Sequence, residues 1–408
     1  MRIIYNLGIQ LYILALRLAS IVNFKAKQML VSRKDLLNRI KKEISTDNRS
    51  KIWFHCASLG EFEQIRPILE GWKKTHTNDA IIITFFSPSG YELRKNYPLA
   101  DYIYYLPFDT SKNASTFIAL TNPKLAIFAK YDIWYHYLHI LKLKKIPSYL
   151  VSANFRKDQV YFKWYGGFFK EMLFSFTHIF SQFNASTLLL NEIGITHAST
   201  SGDTRYDRVL QLSNEVKENE LIRELKSTKK LIVLGSSYKE EELLMASIIS
   251  ELENIKVIVA PHHINEQRLQ SIESIFKNVA TVRYSLANTQ NINKVDVLIL
   301  DNIGMLATLY HYANIAIVGG GFGLNGIHNI LEPLSHGAYV FIGPLNHAKF
   351  PETKLAMDNK VLSVFSDSMQ LFDLINTHIH QTTITNNGIV DFVRSNAGAT
   401  KLILNFIK

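Results

Sequence analysis

Short apolar runs alternate with amphipathic stretches along most of this 408-residue chain. Runs of four to six residues bounded by turn formers are too short for helices and read as strands buried on both faces. Strands are predicted at residues 51–55, 80–85, 102–106, 125–129, 148–152 and 178–181, with helices at 61–73 and 89–96 among them. Polar and charged residues dominate from 213 to 230, after which strands resume at 231–234, 256–260, 280–284, 295–300, 315–318 and 339–342. Such alternation implies a mostly parallel sheet with helices on both faces, and the chain is too long for one compact core. The fold class is therefore α/β, with two doubly wound, Rossmann-like domains whose strand C-termini face a shared cleft. The domains cover 46–210 and 211–385. An apolar helix and basic linker over 1–45 precede them, and a C-terminal helix within 386–408, spanning 389–407, crosses back to the first domain.

From Ile3 to Phe24 the only charge is Arg17, and Lys25, Lys27, Arg33, Lys34, Arg39, Lys41 and Lys42 follow. Drawn as a helix, this segment puts Asn6, Gln10, Arg17 and Ser20 on one stripe, as in a helix lying in a membrane interface or a tilted anchor. The alternative is an amphipathic helix packed on the protein's own core. A cleaved signal peptide fits poorly, because the basic cluster lies after the apolar stretch. The net charge of +10 favours an acidic partner, and its concentration near 25–42 suits an anionic membrane better than nucleic acid. The single cysteine, Cys56, excludes an internal disulfide, fits a reducing compartment and reads as a small buried residue beside a strand end.

Candidate chemistry sits where predicted strands end. After the run 315–318 come Gly319-Gly320-Gly321-Phe322-Gly323; Asn325 can cap a helix beginning near Gly326, and Asn329 and Glu332 share a face of it. Unpaired amides and the helix dipole at such a junction suit a phosphate, and the carboxylate one turn on suits ribose hydroxyls. A glycine-rich turn that binds nothing fits the same residues, since the spacing is neither GxGxxG nor GxxxxGK[ST]. In Ser58-Leu59-Gly60-Glu61, Ser58 reads as an N-cap, Gly60 as a point of close backbone approach and Glu61 as a first-turn acid. Gly235-Ser236-Ser237 reads as an anion-binding turn or simply the capped start of a helix. The adjacent His262 and His263 after Pro261 lack a third ligand at metal spacing, so hydrogen bonds to a ligand are expected instead. Main-chain groups of Ile303, Gly304 and Met305 can read a base edge. Tyr161, Phe162, Trp164, Tyr165, Phe168 and Phe169 read as core or interdomain packing.

Taken in order, several segments together resemble the 3-deoxy-D-manno-octulosonic acid (Kdo) transferases of lipid A biosynthesis. They are 53–61, Lys130-Tyr131-Asp132-Ile133-Trp134, Gly202-Asp203-Thr204-Arg205-Tyr206-Asp207, 235–237, 261–263, 301–305 and His328-Asn329-Ile330-Leu331-Glu332-Pro333, with Gly343-Pro344 and Lys349-Phe350 further on. The resemblance covers nearly the whole chain. It implies a GT-B fold and inverting transfer of Kdo from CMP-Kdo to the lipid A precursor on the cytoplasmic face of the inner membrane. An N-terminal helix would anchor the enzyme among anionic lipids, with no metal, other cofactor or nucleic acid required. Glu61 matches the family's general base, Arg205 a position that stabilises the transition state, and Asp132 lies in a segment that usually carries two glutamates. Pro261, His262, Ile303, Gly304, Met305, Asn329, Ile330, Leu331 and Glu332 match CMP-binding positions. Ser58, Gly60, Ser236, Gly320 and Gly321 are further donor-site candidates.

The chain departs from the family pattern in places. Pro-Arg-His becomes Pro261-His262-His263, and Lys130 takes the first acidic position of its segment. Two other readings remain open at this stage: another GT-B enzyme, such as a UDP-sugar transferase or epimerase, and a non-catalytic membrane-bound lipid-binding protein.

Overall fold

A strand that is apolar on both sides needs a helical layer above and below it, and the central strands here obtain both. The computed structural model describes residues 1–215, 218–324, 326–380 and 386–407. The chain divides into two units, residues 1–208 with 397–408, and residues 209–396. The first unit contains β1 (Lys51–Cys56), β2 (Ala80–Phe85), β3 (Tyr102–Tyr105), β4 (Leu125–Ala129), β5 (Ser148–Ala153), β6 (His178–Ser181) and β7 (Ala198–Thr200). Their order in the sheet is β3-β2-β1-β4-β5-β6-β7, with parallel pairing throughout. The second contains β8 (Lys230–Ser237), β9 (Ile255–Pro261), β10 (Thr281–Arg283), β11 (Val297–Ile299), β12 (Ile315–Val318), β13 (Tyr339–Ile342) and β14 (Leu362–Val364). These run in the order β10-β11-β9-β8-β12-β13-β14, again parallel. In each sheet the strand order reverses beside the first strand, between β1 and β4 and between β8 and β12.

Alternate residues of β1 divide between two cores. Trp53 joins Ile82, Phe128 and Leu150 on one face, while Ile52 and Phe54 join Ile81, Ile83 and Phe180 on the other. Complete burial of each such side chain stabilises by about 1.5–3 kcal/mol, so the pleat leaves no freedom to shift register by one residue.

The segment before β1 forms three helices, α1 (Arg2–Ala19), α2 (Phe24–Val31) and α3 (Leu36–Ile44). The basic stretch expected to be a linker is thus mostly helical, and Leu36, Ile40 and Ile44 of α3 lie in the first core. Arg33, between α2 and α3, is half-buried without a carboxylate among its hydrogen-bond partners. Its guanidinium donates to the Leu106, Met29 and Phe86 carbonyls at 2.7, 2.9 and 2.7 Å and lies over the Phe86, Tyr105 and Phe108 rings. Desolvation lowers its pKa to about 10.

Other expectations need correction. The helix foreseen near Gly326 begins only at Leu331 and ends at Ser335, because Gly326 (φ 84°) and the residues after it are extended or bent; the Asn325 cap lies outside the described residues. The helix foreseen over 389–407 is two helices, Asn386–Ser395 and Ala399–Phe406, broken at Gly398 with φ 112°. The second packs on α4 (Leu59–Thr75) in the first unit, where Asp207 accepts hydrogen bonds from the Gly398 and Thr400 amides. The edge strands β7 and β14 were not foreseen, since each has only three residues and part of each is exposed to solvent.

Arg33→Ala removes three charge-assisted hydrogen bonds and three cation–π contacts. A loss of about 2–4 kcal/mol is expected, read as a lower melting temperature together with faster limited proteolysis within α1–α2.

Candidate active site

After β1 the chain turns through Ala57 and Ser58 into α4. Ser58 occupies the N-cap position in extended conformation, but its side chain makes no capping bond; its hydroxyl donates to Glu61 Oε2 instead. Glu61 lies in the first turn of α4, where the helix dipole suits an acidic side chain. The expected close approach at Gly60 is absent, since a Cβ there would touch nothing nearer than Ser58 Oγ at 3.9 Å. No packing demand of the fold therefore calls for glycine at this position.

Asp132 follows β4, the neighbour of β1 across the reversal. Lys130 precedes it in left-handed conformation at φ 55°, a strained choice for a non-glycine residue that tends to mark functional sites. The Asp132 carboxyl is nearly buried, and Oδ2 has no hydrogen-bond partner. Desolvation first, then the charge of Glu61, pushes its pKa up to about 8. Two carboxylates held close cannot both ionise cheaply, and the more buried one keeps its proton.

A histidine not singled out from the sequence lies beneath this pair. His55 Nε2 stands 3.4 Å from Asp132 Oδ2 and accepts from Trp134 Nε1 at 3.1 Å. That leaves the ring proton on Nδ1, which meets the Thr84 carbonyl at 3.1 Å and Oγ1 at 2.8 Å. Complete burial lowers the His55 pKa to about 3, so the ring is a neutral support. Arg205, at the start of helix Thr204–Ser213, places Nε and Nη2 on the Asp203 carboxylate at 2.9 and 2.6 Å.

In the second unit, loops after the neighbouring strands β11, β9, β8 and β12 carry the remaining candidates. Ser236 is left-handed at φ 52° within the irregular end of β8. The glycines after β12 serve chain packing: a Cβ on Gly319 would sit 2.1 Å from the Ser236 carbonyl, and one on Gly320 2.1 Å from the Gly326 carbonyl. A Cβ on Gly321 would meet Gly343 N at 2.4 Å. The expectation that this turn offers free amides to a phosphate is overturned at two positions. Gly319 N donates to the Gly235 carbonyl and Gly320 N to the buried Glu241 carboxylate, both at 2.9 Å. Glu241 also accepts from Tyr238 N at 3.0 Å, closing a capping box on helix Lys239–Ile248.

Asn329 precedes the helix rather than sharing a face with Glu332. Its side chain accepts from Leu331 N at 3.1 Å and donates to Glu332 Oε1 at 3.0 Å. Ile330 and Leu331 are buried beneath them. Ile303 is 91% exposed and Gly304 adopts φ 98°, so the backbone of the 303–305 turn is open to solvent. Pro261 ends β9, and His262 stacks on His328 with ring centroids 4.4 Å apart. Among the described residues no group of three or more His, Cys, Asp and Glu side chains is arranged to hold a metal ion.

The aromatic cluster divides. Tyr161, Phe162, Phe168 and Phe169 pack against the first core, whereas Trp164 and Tyr165 are exposed. Cys56 is fully buried, as expected, and burial pushes its thiol pKa up.

Comparison with known proteins bears on the fold and the family. A family model described as 3-deoxy-D-manno-octulosonic-acid transferase (kdotransferase) matches residues 32–208. The 3-deoxy-D-manno-octulosonic acid transferase of Haemophilus influenzae is 26% identical over 377 residues, 88% of this chain and 86% of its own length. That of Aquifex aeolicus is 28% identical over 312 residues, 75% of this chain and 79% of its own. That of Chlamydia muridarum is 26% identical over 340 residues, 79% and 77% respectively. Among solved structures, a putative UDP-N-acetylglucosamine 2-epimerase from Listeria monocytogenes superposes with a TM-score of 0.61 at 11% identity, covering 88% of this chain and 96% of that one. MurG from Acinetobacter baumannii gives 0.53 at 10% identity, covering 88% and 99%. At such identities these two establish the GT-B-like architecture alone, while the sequence relatives separate this chain from the epimerases that share it. Over residues 32–208 the chain matches the model of the 3-deoxy-D-manno-octulosonic acid (Kdo) transferases, and over most of its length it is similar to these glycosyltransferases.

Proposed function

We propose that this protein transfers Kdo from CMP-Kdo to a lipid A precursor with inversion, and that Glu61 is the general base. The observation that carries this reading is the pairing of Glu61 with a neighbour, Asp132, whose pKa is pushed up to about 8. At neutral pH Asp132 then keeps its proton, and Glu61, in the first turn of α4, is the carboxyl left to serve as base. Glu61 takes the proton of the acceptor's primary hydroxyl as that oxygen bonds to the anomeric carbon of Kdo. The bond from that carbon to the CMP phosphate oxygen breaks, and CMP leaves with the electron pair. Arg205 offsets the charge on the departing phosphate, its orientation fixed by Asp203. In the second unit the open turn at Ile303, Gly304 and Met305 reads the cytosine edge, Pro261, His262 and Ser236 flank the phosphate, and the Asn329–Glu332 pair holds the ribose. Ile330 and Leu331 fix that pair from below, while Gly320 and Gly321 let the loop pack closely enough to carry it.

The acceptor is a lipid, and the N-terminal helix supports a membrane-surface location. Tyr5, Ile9, Ile13 and Leu16 turn toward the first unit; Tyr5 donates to Asp109 Oδ2 at 2.5 Å, and Asn6 Oδ1 meets His136 Nε2 at 2.7 Å. Ile3, Ile4, Leu7, Leu11, Leu14 and Leu18, by contrast, are 50–75% exposed. A helix pinned near its start by Tyr5 and Asn6, with an apolar edge bare, suits the plane of the membrane, where Trp164 and Tyr165 add interfacial rings. We place the enzyme on the cytoplasmic face of the inner membrane, held there by this edge and by the basic residues of α2 and α3 against anionic lipid.

Three outcomes test this reading. Glu61→Gln should lower Kdo transfer by about 10²–10⁴-fold and leave CMP affinity unchanged, measured by mass spectrometry of the lipid product and by calorimetry. Asp132→Asn mimics the neutral acid, so it should retain most activity at neutral pH. Because the folded state holds a proton that the unfolded chain has released, wild-type stability should fall relative to Asp132→Asn from about pH 5 to about pH 8. Equal melting temperatures across that window would contradict the assignment. Leu11→Asp combined with Leu14→Asp should release the protein from vesicles containing anionic phospholipid without altering CMP binding.

A further inference from the structure

Three imidazoles and one phenol meet beyond the C-terminal ends of β9, β8 and β12, against the reversal of the second sheet. Tyr238 follows β8, His262 and His263 follow β9, and His328 lies in the loop after β12. The His262 ring stands 4.4 Å from both His263 and His328, at 66° and 29°. The Tyr238 ring lies 5.2 Å from His262 and 5.8 Å from His328, and its hydroxyl is 3.2 Å from His328 Nε2. Two backbone bonds hold the cluster in place, His262 N to the Ser237 carbonyl at 3.1 Å and His328 N to the Gly319 carbonyl at 3.2 Å. The His328 ring also packs beside Gly320, where an added Cβ would stand 3.5 Å from Cδ2.

The reversal of a parallel sheet is where an anionic cofactor group commonly binds, yet the usual sources of positive charge here are already committed. The Gly319 and Gly320 amides are engaged by the Gly235 carbonyl and by Glu241. Arg268, of helix Glu266–Ile275, is tied to both oxygens of Glu242 at 2.5 Å, and Ser237 Oγ donates to the same carboxylate at 2.6 Å. From the β8 side the cluster faces Tyr238 and the amide-bound Glu241, with Lys239 exposed at the first position of its helix; from the β9 side it faces His263. From the β12 side come Asn329 and its partner Glu332. Within the cluster itself, the groups able to become cationic are the imidazoles.

We propose, building on the nucleotide-sugar reading above, that Tyr238, His262, His263 and His328 form the subsite for the donor's phosphodiester and take up one proton when it binds. In the free protein, burial and the neighbouring imidazoles lower the pKa of His328 to about 4, and burial followed by His263 lowers that of His262. The His328 ring is therefore neutral near pH 7. A phosphodiester seated against them removes water but adds a fixed negative charge at contact distance, which favours the imidazolium. Stacked rings can share one such charge but not two, so uptake stops at a single proton. The Tyr238 hydroxyl, which can accept from His328 Nε2–H, steadies the charged form.

The test uses the full chain and the methyl ester of cytidine 5′-phosphate, a diester whose single charge does not titrate between pH 6 and pH 8, unlike CMP. Calorimetry in two buffers of unlike ionisation enthalpy should report uptake of about one proton per ligand at pH 7. Affinity should rise about a hundredfold as the pH falls from about 8 to about 6. His262→Arg, at an exposed position, should still bind, with proton uptake close to zero and affinity independent of pH. Ring-proton NMR should show one imidazole pKa rising on addition of the diester to wild type. Wild-type binding with no proton uptake and equal affinity at both pH values would overturn the proposal while leaving the nucleotide reading intact. Retention of wild-type uptake by His262→Arg would overturn it equally. Absence of any binding of the diester or of CMP would bring down both.

Discussion

Where a parallel sheet reverses its strand order, the chain leaves two adjacent strands toward opposite faces, and neither connection covers the strand ends between them. That uncovered gap is the constraint behind both halves of this molecule. In the first unit it lies between β1 and β4, which bring Glu61 and Asp132 together. In the second it lies between β8 and β12, with β9 alongside, and there Tyr238, His262 and His328 converge. Polar groups in such a gap escape the apolar layers above and below the sheet. Each gap also has a non-glycine residue in left-handed conformation at a strand end, Lys130 after β4 and Ser236 at the end of β8. Holding a residue there costs about 1–3 kcal/mol, offset by the surrounding sheet.

The two gaps handle charge differently. In the first, burial and then the charge of Glu61 push the Asp132 pKa up to about 8, and the His55 ring, itself bonded to Thr84 and Trp134, lies 3.4 Å from Asp132 Oδ2. The second gap commits its carboxylates to structure. Glu241 satisfies the amides of Tyr238 and Gly320, and Glu242 is locked to Arg268. What remains is a set of rings, Tyr238, His262, His263 and His328, of which burial lowers the His328 pKa to about 4. Buried carboxylates on main-chain amides thus stiffen the loop after β12, and the glycines in that loop permit the close backbone contacts this requires.

The N-terminal region joins the first unit by the opposite route, burying polarity and exposing hydrocarbon. Arg33 binds three carbonyls inside an aromatic cage, and Asp109, whose pKa burial raises to about 6, accepts from Tyr5 and from the amides of His136 and Tyr137. These contacts orient α1 along the unit, so its bare apolar edge is a property of the folded surface and not of a free tail. An exposed strip of that composition on a soluble surface would be a liability; against lipid it is an asset.

The sequence by itself determined most of the strands, their parallel sense and the place of Glu61, because apolar runs buried on both faces leave a period that survives without knowledge of neighbours. It also marked His262, Asp132 and the glycine loop as unusual. Edge strands β7 and β14 left no such mark, being three residues long and covered only in part. Nor could the sequence tell why Gly319, Gly320 and Gly321 are glycines, since the answer lies in carbonyls and amides of residues up to about 80 positions away. Only the tertiary structure decided that His55 comes within 3.4 Å of Asp132, that Glu241 occupies the Gly320 amide, and that three histidines from the loops after β9 and β12 gather beside Tyr238. A pKa, a hydrogen-bond partner and a ring stack depend on distance in space, and the order of residues along a chain does not encode that distance until the sheets bring strand ends together.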